Sequence, residues 1–477
     1  MNPSKPYLPA ALLALATIAH AGTEPSIAPA KPEPKSNPLS FLNGAVVFDV
    51  EERLRFEARD NNRDFNDRSN DDNDDSWLLN RFRLGVALKP ARWLKLYVQT
   101  QDVREWDSER PNIPGFNGAE GDDEFDLRQA YVEFADYEHF PLGVKVGRQP
   151  LDYGDRRLIA DSQWGNFGRT FDAVKLRVQQ PKWWAEAFFA RPVQIRTEVF
   201  DNHDAADNVA GVYFSNEWLP FQRTDFYVFY RDKGDAQPDL LSTNKFDPQG
   251  SSNGPAARFT TIGARVDSTP ARLAGWDYNA EFAYQIGDLW SGDRTTPKLD
   301  LHAFAAHAMF GYTFEQAAWR PRLGLEYNYA SGDRNPNDGK SESFQNMFPS
   351  NHDKYGLMDE FGWRNLHDAR VQLSAKPTKK IEASLSYHAL WLADTSDYWF
   401  RNGSSAVRTT TPAGLDVRRI GAGNFVGHEI DFVVKWSVTE WLKVDAGYSH
   451  FFAGDYVRDT GPGDDANFGY VQAAVKF

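Results

Sequence analysis

Four arginines, Arg148, Arg156, Arg157 and Arg169, lie close together in the chain, interleaved with Asp152, Asp155 and Asp172. A guanidinium is permanently charged, and its planar fork matches a carboxylate bidentately. A set of such groups around a water-filled passage lowers the barrier for anions. The aspartates leave a second role open, since Arg–Asp pairs also brace a protein wall. Hydrolytic chemistry has one thin candidate, His388 with Asp394 or Asp397 and Ser384 or Ser386. His428-Glu429 lacks the second histidine of a zinc-protease helix, and Gly421-Ala422-Gly423 misses the dinucleotide spacing. The chain has no cysteine, which excludes disulfides and thiolate metal sites. The acid sits in loops, Asp71–Asp75 and Gly121–Glu124; an Asp-rich loop could hold divalent cations that bridge lipopolysaccharide, but without the glycine and spacing of an EF-hand it reads as solvated. Neither a metal nor a cofactor is expected.

The four arginines need elements to hold them. Val144–Gln149 and Asp172–Val178 alternate in polarity and read as neighbouring β-strands around a loop carrying Arg156, Arg157 and Arg169. The alternation recurs along the chain. Phe48, Val50, Leu54, Phe56 and Ala58 oppose Asp49, Glu51, Arg53, Arg55, Glu57 and Arg59; Phe82, Leu84 and Val86 oppose Arg81 and Arg83. Trp276 to Ile286 and Ile430 to Trp436 repeat the pattern. A charged face this dense must line water, and an apolar face this continuous suits lipid. Arg53, Arg55, Arg81, Arg83, Lys175, Arg177 and Arg370 are then expected to point into a lumen, more basic than the chain's net charge of −14. Segments of ten residues and more suit tilted membrane strands, and they number roughly eighteen, an even count as bacterial barrels require. Turns at Lys89–Arg92, Gln180–Lys182 and Lys376–Lys380 are short. The connections Asp60–Ser76, Asp107–Asp126, Asp232–Arg258, Ser331–Asn365 and Asp394–Gly427 are long and polar. Such sorting puts short turns in the periplasm and long loops outside the cell.

Composition and ends agree with this reading. Fifteen Trp, 19 Tyr and 34 Phe exceed what a core needs, and interfacial girdles use these residues. Trp363, Trp391 and Trp399 are candidates for a girdle, a loop core or a sugar-stacking surface. Lys5, an apolar stretch Leu8–Ala19 and the small-x-small site at Ala19–Ala21 read as a signal peptide over residues 1–21. Residues 22–40 are proline-rich and read as an extended periplasmic tail. The barrel is expected over 41–477. The chain ends on Phe477, on the apolar face of its last alternating segment.

Several segments resemble the alginate export domain of outer-membrane porins: Leu127–Phe134 (LRQAYVEF), Gly147–Ile159 (GRQPLDYGDRRLI), Gly168–Val178 (GRTFDAVKLRV), Phe361–Pro377 and Gly427–Val457. The resemblance implies an eighteen-stranded antiparallel transmembrane β-barrel and a passive channel for anionic solutes, among them an acidic polysaccharide such as alginate. It also implies a monomer. The terminal Phe477 resembles the signal read by the outer-membrane assembly machinery, and lipid and lipopolysaccharide are the expected surroundings. A small-solute nutrient porin and an outer-membrane hydrolase are the alternatives. The expected pore residues are Arg148, Arg156, Arg157, Arg169, Arg177, Arg81, Arg83, Arg53, Arg55, Lys175, Arg370, Asp152 and Asp172.

Overall fold

The computed structural model describes residues 39–61, 64–68, 74–110, 120–197, 199–234, 255–269, 273–401 and 406–477. The signal peptide, nearly all of the proline-rich tail and Asp71–Asn73 lie outside the described residues. Alternation is realised as eighteen long strands. In chain order they are β1 Val46–Asp60, β2 Asp75–Ala91, β3 Leu94–Trp106, β4 Asp123–Asp136, β5 Phe140–Gln149 and β6 Phe171–Gln180. Next come β7 Trp183–Gln194, β8 Asp207–Asn216, β9 Gln222–Lys233, β10 Ala257–Ser268, β11 Trp276–Trp290 and β12 Lys298–Thr313. The last six are β13 Arg322–Ala330, β14 Leu366–Ala375, β15 Ile381–Trp391, β16 Phe425–Ser437, β17 Leu442–Ala453 and β18 Ala466–Lys476.

Each strand pairs antiparallel with the next, and β1 pairs antiparallel with β18 from Glu51↔Lys476 to Asp60↔Asn467. The sheet is therefore a closed barrel with no free edge. The outward parity carries Phe56, Val98, Phe282, Leu373 and Phe432, all well exposed as lipid contact requires. The inward parity carries Arg53, Arg55, Arg81 and Arg83, each at most 4% exposed. Phe477 stacks on Trp441 at the rim where the chain ends. No helix among the described residues is long and apolar enough to cross a membrane; the strands do the crossing.

The barrel is not an open tube. Buried side chains of the long loops, among them Leu158, Ile159, Phe344, Phe348, Tyr355, Phe361, Trp363 and Trp399, join inward strand residues such as Phe188, Phe229 and Phe451 in one apolar cluster. Trp363 and Trp399 are completely buried there, so they are loop core and offer no surface to a sugar. Lipid-facing substitutions should be costly where inward ones are not. Phe432→Arg is expected to destabilise the barrel by roughly 2–4 kcal/mol, and the inward Lys435→Ala by about 1 kcal/mol or less. Urea unfolding from lipid vesicles measures both.

Candidate functional site

After Gln149 the chain leaves the wall and folds inward over residues 150–170 before β6 begins. The turn closes with Arg156 N–H on the Tyr153 carbonyl at 3.0 Å and Tyr153 N–H on the Ile159 carbonyl at 3.1 Å. It needs left-handed backbone at Gly154 (φ 58°) and Arg156 (φ 64°); the glycine adopts this freely, the arginine at some cost. The inserted segment lies on a ladder of arginines. Arg53 donates to the Gln163 carbonyl (2.9 Å) and the Trp164 carbonyl (3.1 Å). Arg55 donates to the Trp164 carbonyl at 2.6 Å, and Arg81 to those of Gln163 and Gly165 at 3.1 and 3.2 Å. Arg83 donates to the Phe167 carbonyl at 3.0 Å. Hydrogen bonds to a charged donor are worth about 1.5–3 kcal/mol each, so four expected pore cations serve first as a latch. Arg128, absent from the expected set, joins them through one guanidinium nitrogen that reaches both Asp161 oxygens, at 2.6 and 2.8 Å. Its parity with Ala130 and Phe134 predicts an outward position. A register shift opposite Gln99 and Thr100 turns it inward.

A second segment, within 331–365, meets the first inside the barrel. Phe348 N–H reaches the Leu158 carbonyl at 2.7 Å, Ala160 N–H the Phe348 carbonyl at 2.8 Å, and Ser350 N–H the Arg156 carbonyl at 2.9 Å. Arg169, through its guanidinium, donates to the Pro349 carbonyl at 2.9 Å. Trp164 stacks on His352 with centroids 3.6 Å apart, and Arg55 lies 3.9 Å from the Trp164 centroid. The joint centres on Arg157, which is fully buried. It reaches the Tyr355 hydroxyl (2.9 Å), His307 Nδ1 (2.9 Å), Glu326 Oε1 (3.0 Å) and Asp155 Oδ2 (3.2 Å). Lys354 adds a pair to Asp155 at 3.1 Å. Burial alone raises the Asp155 carboxyl. The Arg157 guanidinium and Lys354 ammonium outweigh it and hold the group well below the usual carboxylate range.

Beneath this joint lies a cavity of about 750 Å³ that extends to the periplasmic rim at Glu440, Trp441 and Lys476. Arg53, Arg81, Arg156, Arg157 and Arg370 line it, but so do Glu51, Asp155, Glu326, Asp353 and Asp431. Nine lysines and arginines face eight carboxylates in that lining, so its charges nearly balance. The lining is thus more basic than the chain as a whole, yet it carries little net charge, because most inward cations bring a carboxylate with them. Among the arginines of that lining Arg156 is the accessible one, with 54% of its side chain exposed and Asp152 as its ion-pair partner at 3.5 Å; the exposed lysines Lys435, Lys443 and Lys476 lie farther down, toward the rim. Arg370 is tied to Glu326 at 3.3 Å. Lys175 and Arg177 share Glu186, at 3.3 and 2.9 Å, in a separate pocket of about 250 Å³.

Two expected pore residues lie elsewhere. Arg148 shares its parity with the exposed Val146, and Asp172 with the exposed Val174. They pair with each other at 2.9 Å, and His203 joins Asp172 at 3.0 Å. They line an outer groove with Thr100, Phe125 and Phe200 and do not touch the main cavity. The hydrolase constellation is not assembled either. His388 Nδ1 bonds Asp368 at 2.9 Å, not Asp394 or Asp397, and Ser386 Oγ accepts from Arg370 at 2.9 Å.

The sequence of this lipid-facing barrel matches the alginate export family model over residues 45–471. It belongs to the alginate export family. The fold is similar to that of Pseudomonas aeruginosa OpdK, crystallised with vanillate, at a TM-score of 0.57 and 11% identity over 90% of this chain and 98% of that one. It is similar as well to P. aeruginosa OpdQ (TM-score 0.57, 10% identity, 91% and 97% covered) and Acinetobacter baumannii OccAB4 (0.54, 9%, 90% and 98%). A search of curated protein sequences finds no match. Family and barrel together make the chain a channel of the Gram-negative outer membrane.

Arg157→Ala should leave Asp155 to Lys354 and Glu326 to Arg370 alone, at a cost of up to roughly 3 kcal/mol, the low end for a broken buried pair, and loosen the inserted segments. Urea unfolding and protease cleavage within 150–170 check this. Acid should act differently. A carboxyl lowered by folding contributes stability that is complete above its unfolded value, about 4, and is lost only as pH falls through the depressed folded value. Protection of 150–170 against protease should therefore persist from pH 7 down to about 4. Its loss above pH 5 would contradict the Asp155 assignment.

Proposed function

We propose that the channel passes small anionic solutes by passive diffusion, with Arg156 as the cation that meets them where the two inserted segments join. The observation that carries this reading is the accessibility of Arg156 beside the buried Arg157 and the paired Lys354. Arg157 and Lys354 are spent on Asp155 and Glu326, whereas Arg156 faces Asp152 alone, at 3.5 Å. A carboxylate arriving there can exchange with Asp152 for the guanidinium fork. The barrel's content favours a small solute over a polymer. Segments 150–170 and 331–365 cross-link inside the lumen and build an apolar core, so a polysaccharide would have to displace a packed, hydrogen-bonded joint. Export of an acidic polysaccharide such as alginate stays as the second reading, favoured by the family to which the chain belongs. The vanillate in the OpdK structure is an aromatic carboxylate, a solute class that fits the first. The protein is read as a channel and not an enzyme, with no catalytic residue assigned.

Planar-bilayer recordings under a salt gradient test the proposal. The intact protein should show a reversal potential of anion sign. Arg156→Glu should move it toward cation selectivity, and Arg156→Ala should bring it near zero. Small carboxylates should block the current at lower concentration than polyuronates. Cation selectivity in the intact protein, or block by polyuronates alone, would overturn the small-anion reading.

A further inference from the structure

Beside the outer groove that Asp126 and Asp201 line, Asp123 at the start of β4, Asp126 three residues on and Asp201 after β7 bring carboxylate oxygens within 4.8 Å of one another. Asp123 and Asp126 are 1% and 2% exposed, and Asp201 is half-buried. Among the described residues, no lysine or arginine closes an ion pair with any of the three. Arg104 is engaged by Asp102 (2.8 Å) and Glu124 (3.1 Å), and Arg148 by Asp172; the charges of Arg148 and Arg196 act on Asp201 without closing an ion pair on it. Backbone amides meet part of the charge. Leu127 N–H and Asp201 N–H (2.6 Å) donate to Asp126, and Arg196 N–H donates to Asp201 at 2.7 Å. Among the described residues, none donates a backbone amide to Asp123. Its Oδ2 is buried and without a hydrogen-bond partner, in a side chain gathered against two other carboxylates. An unpaired buried carboxylate costs several kcal/mol unless a positive charge or a proton reaches it.

We infer that Asp123, Asp126 and Asp201 form a binding site for a divalent cation of the calcium type. Calcium takes six to eight oxygens in irregular geometry. The free Oδ2 of Asp123 and the unused lone pairs of Asp126 and Asp201 supply the protein share, with water completing the shell. Burial and the Asp126 carboxylate push the Asp201 carboxyl up to about 8, the sign of a site short of positive charge. The ion enters from the half-buried Asp201 side, beside the outer groove lined by Phe125, Asp126, Phe200 and Asp201. Its effect is mechanical: it ties the segment 199–203 to β4 across the ends of β5 and β6, where the wall stops short because the chain turns into the lumen. Val199 and Phe200, 58% and 68% exposed, are thereby held on the outer surface. The site is independent of the solute that the channel carries.

The test uses the purified full-length protein in detergent, stripped with EDTA and titrated with CaCl2, with NaCl at matched ionic strength as control. Amide exchange in 199–203 should slow about tenfold or more with half-saturation near ~10⁻⁴–10⁻³ M calcium, and the melting temperature should rise with it. Asp123→Asn should abolish both responses. In EDTA it should be at least as stable as the parent, because it removes one of three crowded like charges; a purely structural carboxylate would not give that result. Asp201→Asn, on the connecting segment, serves as the second variant should Asp123→Asn fail to fold. The assignment is overturned by a parent protein indifferent to calcium, by a variant that keeps the response, or by NaCl reproducing it. It is equally overturned if lowering the pH alone gives the full slowing while calcium gives none, since protons would then neutralise the cluster.

Discussion

The structure depends on what its inward arginines can find to bond. A strand that faces lipid on one side must place every charge on the other, and β1 and β2 place Arg53, Arg55, Arg81 and Arg83 on one patch of inner wall. Four guanidinium groups so close repel one another and need acceptors. Glu51 and Glu57 meet part of the demand. The backbone carbonyls from Gln163 to Phe167 meet another part, with the Asn166, Gln101 and Gln163 side chains beside them. Carbonyl oxygens add no charge, so the inserted segment satisfies the ladder without turning the wall acidic. The need of the wall and the position of the segment are one fact seen from two sides.

The second inserted segment follows from the first. Once 150–170 lies inside, its far side offers Leu158 and Ile159 together with backbone groups from Arg156 to Ala160, and 345–355 covers them as a short strand-like bridge. Arg157 joins both segments to β12 and β13 through His307 and Glu326. Polar wall, buried hub and apolar core are thus layered from the barrel inward, so the extracellular half behaves like the interior of a soluble domain. The periplasmic half keeps a large aqueous space.

The barrel itself was legible in the sequence because its signal is local. Alternation over ten or more residues, with Leu54 and Phe56 against Arg53 and Arg55, fixes a strand, its two faces and the solvent of each. Loop lengths added the orientation. The site was only half legible, for three physical reasons. Parity was decisive but not followed everywhere: Arg148 shares a face with Val144 and Val146, which already places it outside. Parity also fails at a bulge, and the shift at Gln99 and Thr100 hides Arg128. The joint between the inserted segments rests on contacts such as Arg157 with Tyr355, 198 residues apart, and no spacing rule reports those. Lys354, His352 and Trp164 gave no signal beyond their presence in long connections. The acidic run Gly121–Glu124 reads as solvated, yet one of its members, Asp123, is buried against partners that only the fold supplies.

The seam between β1 and β18 has a kinetic consequence. Asn467 donates to Asp60 at 2.7 Å across a sequence separation of 407 residues, whereas every other adjacent pair of barrel strands joins consecutive ones. Sixteen intervening strands can zip up by hairpins, but this last join must wait for the whole polypeptide. Until it forms, two raw borders of unpaired amides and carbonyls persist, the kind of template on which chains misassociate. Arg53 and Arg55 grip the inserted segment from that same strand, so the anchoring of the lumen's contents and the final step of the barrel's assembly converge on one stretch of wall.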